Sequence, residues 1–194
     1  MNLPNKLTLL RVFLIPFFLV FIYWKIPFHY CIALLIFSAA AITDALDGSI
    51  ARKRNLITNF GKFLDPLADK VLVISALAVF VDISEIHVGA VPLIIISARE
   101  FMVSGLRLLA ADSGIVVAAG IWGKLKTAFT MTAIIFALFW LGVCYDFGFS
   151  LPDGLVNAVD DIVIPVLIWV STLLTIVSGA VYLKGYWHLI DSDK

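Results

Sequence analysis

Six long apolar segments divide this chain, and they constrain its fold more than any other feature. Each is long enough for the roughly 20 residues that a membrane-spanning helix needs. Inside hydrocarbon, every backbone N–H and C=O must be bonded within the protein, which favours helices over open strands. The sequence therefore predicts an all-α polytopic membrane protein, a six-transmembrane-helix bundle formed by a single domain of residues 1–194. The apolar segments lie near residues 8–24, 29–51, 63–82, 88–110, 124–144 and 162–184.

Composition and the placement of charge agree with this class and orient the bundle. Hydrophobic residues make up 62% of the chain and charged residues 14%, whereas about a quarter of a soluble domain is charged. If the fourth span extends to about Arg107, 13 of the 14 lysines and arginines map to one side, with Lys25 the exception. Because short cytoplasmic loops carry the excess of basic residues, this pattern predicts cytoplasmic termini.

The residues before the first span predict a short N-terminal segment lying at the membrane interface. This segment, Leu3-Pro4-Asn5-Lys6-Leu7-Thr8, mixes polar and apolar residues. Asn5 or Thr8 could cap the start of a helix, since both residue types are favoured there. A role for either side chain in binding a ligand is the alternative interpretation.

Four aspartates stand at the ends of two consecutive spans. Asp44 and Asp47 are spaced i, i+3 at the end of the second span, and Asp65 and Asp69 are spaced i, i+4 at the start of the third. Each spacing puts both carboxylates on one helix face. Because a short loop joins the two spans, the four carboxylates can converge at one depth. Such a cluster is costly in a membrane unless cations compensate it, and hard oxygen ligands suit Mg²⁺, Mn²⁺ or Ca²⁺. The number of carboxylates suits two bridged ions.

Small and basic residues surround the aspartates. Gly48, Ala51 and Gly61 would let a bulky ligand approach the helix backbones, although small residues also serve helix packing in membranes. Arg52 lies one helical turn beyond Gly48 and could bind a phosphate. Its alternative role is that of a cytoplasmic topology charge.

Together these residues form D-x-x-D-G-x-x-A-R, eight residues, then G-x-x-x-D-x-x-x-D. This pattern resembles the signature of the CDP-alcohol phosphotransferase family, whose members transfer a CDP-linked phosphoalcohol to an acceptor hydroxyl and release CMP. The resemblance implies two divalent cations, Mg²⁺ or Mn²⁺, one held by Asp44, Asp47 and Asp65 and the other by Asp44, Asp65 and Asp69. It also implies that Asp69 is the general base. The implied CDP-diacylglycerol site comprises Gly48, Ala51, Arg52, Thr58 and Gly61, with Asn5, Thr8 and Arg11 nearby.

Further stretches resemble one bacterial branch of that family. They include the N-terminal residues 2–11, the residues 65–70 around the second aspartate pair, residues 97–101 and 104–107, and residues 123–127. The resemblance implies a multi-pass enzyme of the bacterial inner membrane whose active site faces the cytoplasm. Its substrates would be CDP-diacylglycerol and sn-glycerol 3-phosphate, and its product phosphatidylglycerophosphate. We also expect contact with membrane lipid, assembly as a homodimer and no nucleic-acid partner.

A phosphorylated acceptor requires positive charge near the metals. Arg99, Arg107, Lys124 and Lys126 lie on the expected cytoplasmic halves of spans four and five, and we expect Arg99, Arg107 and then Lys124 to bind the glycerol phosphate. Arg99 follows the apolar run 94–96, where a lone cation is expensive. Glu100 points about 100° away on a helix, so simple neutralisation of Arg99 is not expected. The alternative is that these cations extend to lipid headgroups.

Two rival functions remain open from the sequence. A sister enzyme of the same family would use phosphatidylglycerol as the acceptor and make cardiolipin, which favours a neutral acceptor pocket. A divalent cation transporter would also carry intramembrane carboxylates, but near the middle of the membrane and beside broken helices. An inactive scaffold finds no support in the sequence, because every motif position is filled.

Overall fold

The structure is a computed structural model that describes the backbone of residues 3–54, 59–112, 115 and 120–187. Within those ranges, the side chains of residues 3–5, 45–54, 59–63, 65, 66 and 112 are not described. The described residues form helices, joined by short connections, and contain no strand.

The described part of the chain contains seven α-helices, six of them long. Their bounds are α1 Leu3–Tyr23, α2 His29–Arg54, α3 Asn59–Asp82, α4 Ala90–Asp112, α5 Ile121–Leu141, α6 Asp153–Ala158 and α7 Ile164–Tyr186. A π-helical turn, Gly142–Asp146, continues α5, and a second, Val159–Val163, joins α6 to α7. The six long helices correspond to the six predicted spans. The short α6 lies in the region 145–161, for which the sequence suggested no structure.

The predicted N-terminal interfacial segment is not a separate element. Helix α1 begins at Leu3 and continues without a break to Tyr23. Pro4 stands in its first turn, where the missing N–H has no intrahelical partner to lose. Because no glycine or proline follows until Pro16, nothing in the sequence interrupts the helix between Thr8 and Leu9. Asn5 and Thr8 are therefore interior residues of α1, and neither caps its start.

Large apolar side chains fill the centre of the bundle. Phe18 of α1 packs against Phe37 of α2 with ring centroids 6.0 Å apart, and Phe80, Leu138 and Ile168 are fully buried in the same cluster. Helix α1 contacts α2 and α3, α5 contacts α2 and α7, and α4 contacts α3 and α7. Since lipid tails are as apolar as these side chains, close packing rather than exclusion of water holds the helices together.

The outer surface of the bundle is apolar as well. Phe13, Leu35 and Ile94 each expose more than half of their surface, and similar residues lie on every long helix. An aqueous surface would not carry so much exposed hydrocarbon. Within the described residues, three stretches are long and apolar enough to cross a membrane by length and composition alone, and 29–44 forms a shorter apolar helix. The protein is an all-α membrane protein.

Alternating helix directions separate the bundle into two ends. The motif end holds Asp44 and Asp69, because α2 finishes and α3 begins there. The starts of α1 and α5 and the finishes of α4 and α7 reach the same end, as shown by contacts of Arg11 with Asp44 and of Arg107 with Tyr182. The opposite end holds the two π-helical turns.

Candidate functional site

Asp44 and Asp69 meet at the motif end. Asp44 lies near the end of α2, with 39% of its side chain exposed, and Asp69 lies in the first half of α3 and is partly buried. Each carboxylate acts electrostatically on the other, so the two predicted metal ligands whose side chains are described share one site. Asp47 and Asp65 belong to the same two helices. Their side chains lie outside the described residues.

Arg11 of α1 is fixed against this carboxylate pair. Its guanidinium Nη1 lies 2.7 Å from Asp44 Oδ1, and its side chain is fully buried. It also acts on Asp69. Thr8, one turn earlier on α1, is buried too. A buried guanidinium requires a compensating anion, so Arg11 and Asp44 stabilise each other where α1 and α2 pack.

Most of the predicted CDP-diacylglycerol-binding residues fall where only the backbone is described. Gly48, Ala51 and Arg52 lie in the last turns of α2, Gly61 in the first turn of α3, and Asn5 in the first turn of α1. Thr58 lies outside the described residues. The helices that carry these residues all reach the motif end.

The donor set at the motif end fits a divalent cation. Carboxylate oxygens are the ligands that Mg²⁺ and Mn²⁺ prefer, and Asp44 and Asp69 already lie close enough to interact. The side chains that are described include no cluster of three or more metal-ligating residues. Two of the four predicted ligands, Asp47 and Asp65, are not among those side chains.

A recess opens beside Asp69, between α3, α4 and α5. Asp69, Lys70, Glu100 and Lys126 supply its charged lining. The Lys126 ammonium forms an ion pair with Glu100 Oε1, and both side chains are almost completely buried. The recess is therefore a polar compartment next to the candidate general base, walled by membrane helices.

Glu100 corrects one inference from the sequence. We expected its carboxylate to point away from Arg99, yet Arg99 Nη1 lies 3.4 Å from Glu100 Oε1. The arginine side chain is long enough to curve back across the 100° between neighbouring helix positions. Lys126 is the closer partner, so Glu100 lies between two cations.

Arg99 and Arg107 come together at Tyr182 of α7. The guanidinium carbons of Arg99 and Arg107 lie 5.4 Å and 5.6 Å from the centre of the Tyr182 ring. Arg107 Nη2 donates to the Tyr182 hydroxyl over 3.2 Å, and Arg99 Nη2 donates to Ser178 Oγ over 2.7 Å. The two arginines predicted to bind the acceptor phosphate thus form one pair, called the arginine pair below.

Lys124, the third predicted acceptor residue, is exposed, and it does not line the recess beside Asp69. Lys126 occupies that position instead. Residues two apart on a helix point about 200° apart, so only one of the two lysines can face the bundle. The sequence contains both lysines and does not reveal which one faces inward.

Two further residues of this region were not singled out from the sequence: Ser178 and Tyr182. A signal existed for both. Ser178 and Tyr182 are spaced i, i+4 on a long apolar helix, and both are buried. Polar residues that share one face of an apolar helix point toward the bundle interior rather than lipid.

Two interacting carboxylates on α2 and α3, beside the arginine pair, are groups with which an enzyme acting on phosphate esters could hold a divalent cation and bind phosphate. The chain belongs to the CDP-alcohol phosphatidyltransferase family, whose model matches residues 1–181. The arrangement of Asp44, Asp69 and the motif glycines on α2 and α3 agrees with that membership.

Bacterial relatives match nearly the whole chain. A CDP-diacylglycerol–glycerol-3-phosphate 3-phosphatidyltransferase from Bacillus subtilis is 39% identical over 100% of this chain and 99% of its own length. The enzyme of the same name from Rickettsia typhi is 38% identical over 95% of this chain and 96% of its own. A third, from Haemophilus influenzae, is 38% identical over 94% and 92%.

Proposed function

We propose that this protein transfers the phosphatidyl group of CDP-diacylglycerol to sn-glycerol 3-phosphate, giving phosphatidylglycerophosphate and CMP. Relatives that carry the name of this reaction match the chain from end to end. The observation that carries the proposal is the arginine pair, which lies at the same end of the bundle as Asp44 and Asp69. A phosphorylated acceptor needs such a paired cation, whereas a neutral acceptor does not.

Asp69 is the proposed general base. The acceptor hydroxyl is a weak nucleophile at neutral pH, and a carboxylate within hydrogen-bond reach can take its proton as the new P–O bond forms. Two features support this role. Asp69 lines the recess, and the negative charge of Asp44, the motif aspartate on the adjoining helix α2, is paired with Arg11. The bond from phosphorus to CMP breaks in the same displacement.

Two divalent cations, Mg²⁺ or Mn²⁺, are proposed as cofactors, held by Asp44, Asp47, Asp65 and Asp69. When bound, such ions neutralise the diphosphate and stabilise the leaving CMP. Arg11 keeps the Asp44 carboxylate oriented toward the shared site, and Gly48, Ala51, Arg52, Thr58 and Gly61, with Asn5 and Thr8, surround the CDP moiety.

Arg99 and Arg107 are proposed to bind the phosphate of the acceptor. Lys124 contributes at the exposed rim. Lys126 adds a buried positive charge between the recess and Glu100. This cluster orients the acceptor so that its free hydroxyl faces Asp69. We further propose that the motif end and both termini face the cytoplasm, and that the protein acts in the bacterial inner membrane as a homodimer.

The direct test measures CMP release by purified protein in detergent or lipid nanodiscs supplied with CDP-diacylglycerol. The panel of acceptors is sn-glycerol 3-phosphate, phosphatidylglycerol and glycerol, each with Mg²⁺, with Mn²⁺ and with excess chelator. We expect CMP only with sn-glycerol 3-phosphate and only with a divalent ion. Release with phosphatidylglycerol alone would reassign the protein to cardiolipin synthesis, and cation flux into vesicles without nucleotide would favour a transporter.

A further inference from the structure

Tyr182 contacts both members of the arginine pair and the start of α5. Its ring contacts both guanidinium groups, and its hydroxyl accepts hydrogen bonds from Arg107 Nη2 and from the backbone N–H of Gly120, 3.0 Å away. We infer that Tyr182 is a positioning residue that holds Arg99 and Arg107 together as a preformed dication, and that this dication selects an acceptor carrying a phosphate monoester. The inference rests on the proposed function and specifies its acceptor selectivity.

The two guanidinium groups require something to offset their repulsion. Both are within cation–π distance of one ring, whose negative face attracts each of them. Glu100, 3.4 Å from Arg99 Nη1, offsets part of this repulsion, and the Tyr182 ring keeps the two cations together. Arg107 is exposed and could extend into water. Its contacts with the Tyr182 ring and hydroxyl hold it beside the buried Arg99 instead.

Tyr182 does not contact substrate directly. Only 5% of its surface is exposed, and its hydroxyl accepts from two donors on different helical segments. The bond to Gly120 anchors α7 to the start of α5, so the ring is fixed relative to two helices. Such a side chain acts through the arginines it orients.

The pair retains hydrogen-bonding capacity for a ligand. Arg99 is 8% exposed, yet its Nε has no hydrogen-bond partner among the described residues. Its other two nitrogens already donate to Ser178 and Glu100. An unsatisfied buried N–H is costly, and an anion bound between Arg99 and Arg107 would satisfy it. Two fixed charges favour a dianionic phosphate monoester over a neutral polyol.

Close packing leaves the Arg99 side chain little room for another conformation. A Cβ added at Gly179 of α7 would lie 3.1 Å from Arg99 Cγ, so glycine provides the space through which the arginine stem passes. The stem is thus confined between α4 and α7, and the guanidinium emerges at the ring of Tyr182 and the hydroxyl of Ser178.

Two substitutions separate the contribution of the Tyr182 hydroxyl from that of its ring. Tyr182→Phe removes the hydrogen bonds and keeps the ring, whereas Tyr182→Leu removes both. The matched control is Tyr145→Phe, which deletes a tyrosine hydroxyl bonded to Asp160 at the opposite end. We expect Tyr182→Phe to raise the KM for sn-glycerol 3-phosphate by about tenfold, the effect of one hydrogen bond to a charged group, and Tyr182→Leu to raise it further. The KM for CDP-diacylglycerol should stay unchanged in all three variants.

A binding measurement decides the inference without turnover. Inorganic phosphate should raise the thermal unfolding temperature of the wild-type protein and of Tyr145→Phe, with a midpoint concentration that increases at least tenfold in Tyr182→Leu, as expected for loss of a shared contact of two arginines. An unchanged phosphate midpoint, or equal increases in KM for both substrates, would overturn the role of Tyr182. If wild-type protein releases no CMP with sn-glycerol 3-phosphate, the proposed function fails, and the phosphate midpoint alone then decides whether Tyr182 organises an anion site.

Discussion

At the scale of single residues, the surroundings of Asp69 determine what the motif end can do. Asp44 and Glu100 bring negative charge to it, and Arg11 and Lys126 bring positive charge. These four described charges offset one another around Asp69, which is partly buried, so that electrostatic interactions are stronger there than in water. A cation added to this balance would favour the ionised form of every carboxylate present.

Asp69→Asn should abolish turnover while largely preserving CDP-diacylglycerol binding. The amide keeps the shape of the side chain but cannot accept a proton, and loss of a general base lowers rates by about 10²–10⁴-fold. CMP release and binding of the CDP-lipid are measured on the same preparation. The control is Asp82→Asn, at the other end of α3. Near-normal turnover of Asp69→Asn would remove the general-base role.

The buried pair between Glu100 and Lys126 should be strongly coupled. Both side chains are about nine-tenths buried, so Glu100→Gln or Lys126→Met alone leaves an uncompensated charge, which costs about 3 kcal/mol or more. The double variant removes both charges and should recover most of the lost stability. The free energies of unfolding by denaturant, measured for the wild type, both single variants and the double variant, give the coupling energy. Additive effects of the two single changes would contradict the pairing.

At the scale of elements, the opposite end of the bundle shows how the helices are fixed. The π-helical turn after α5 directs Asp146 at the start of α2, where its Oδ2 accepts from the backbone N–H of Cys31 over 2.7 Å. Asp160, in the second π-helical turn, accepts from Trp140 and Tyr145. Asp146 thus satisfies a backbone N–H in the first turn of α2 that a free helix end would leave unpaired, and Asp160 links its turn to Trp140 of α5.

Gly142→Ala should destabilise the protein, because the contact between α5 and α2 has no room for a methyl group. Its Cβ would lie 2.8 Å from Cys31 Sγ, and forced overpacking typically costs about 1–3 kcal/mol. Gly154→Ala in α6 is the control, since nothing lies within 4 Å of its Cβ. The thermal unfolding temperatures of the two variants and the wild type are compared in detergent. Adding Cys31→Ala to Gly142→Ala should restore stability; failure to do so would place the strain elsewhere.

The long helices could be predicted from the sequence because apolar length and backbone hydrogen bonding leave few alternatives in lipid. Their ends could not be predicted equally well. The N-terminal segment that we expected before the first span is continuous with that span in α1, and helix α6 lies in a region for which the sequence suggested no structure. Polar contacts between helices, such as that of Tyr182 with Gly120, depend on the rotation of each helix, which hydropathy alone does not fix.

At the scale of the whole molecule, the two ends differ in charge as well as in structure. The motif end carries Arg11, Arg99, Arg107 and Lys126, whereas the opposite end carries Asp146, Asp160 and Asp161. This asymmetry was readable from the sequence, because each span reverses the direction of the chain. The four motif aspartates were identified in the same way, by their spacing and their place at two adjoining helix ends.

Topology can be tested with two exposed positions at opposite ends. With Cys31 and Cys144 replaced by alanine, His87→Cys should react with a membrane-impermeant thiol reagent in intact cells. Lys124→Cys should react only after the membrane is permeabilised, because basic loops stay in the cytoplasm. Both native side chains are exposed, so access of the reagent is comparable. The reverse labelling pattern would invert the proposed orientation.

Hydroxyl groups midway along α5 and α7 have a consequence for the distant arginine pair. Thr130 and Ser171 are buried and hydrogen bonded to each other. Sliding α7 by one turn, about 5.4 Å, would separate the two hydroxyls and deprive Ser171 Oγ of this partner, whereas Thr130 Oγ1 would keep its bond to the Lys126 carbonyl. Tyr182 follows Ser171 by about 16 Å along the same rigid helix. The position at which the protein holds the Tyr182 ring is therefore set in part near the middle of the bundle, well away from the arginine pair itself.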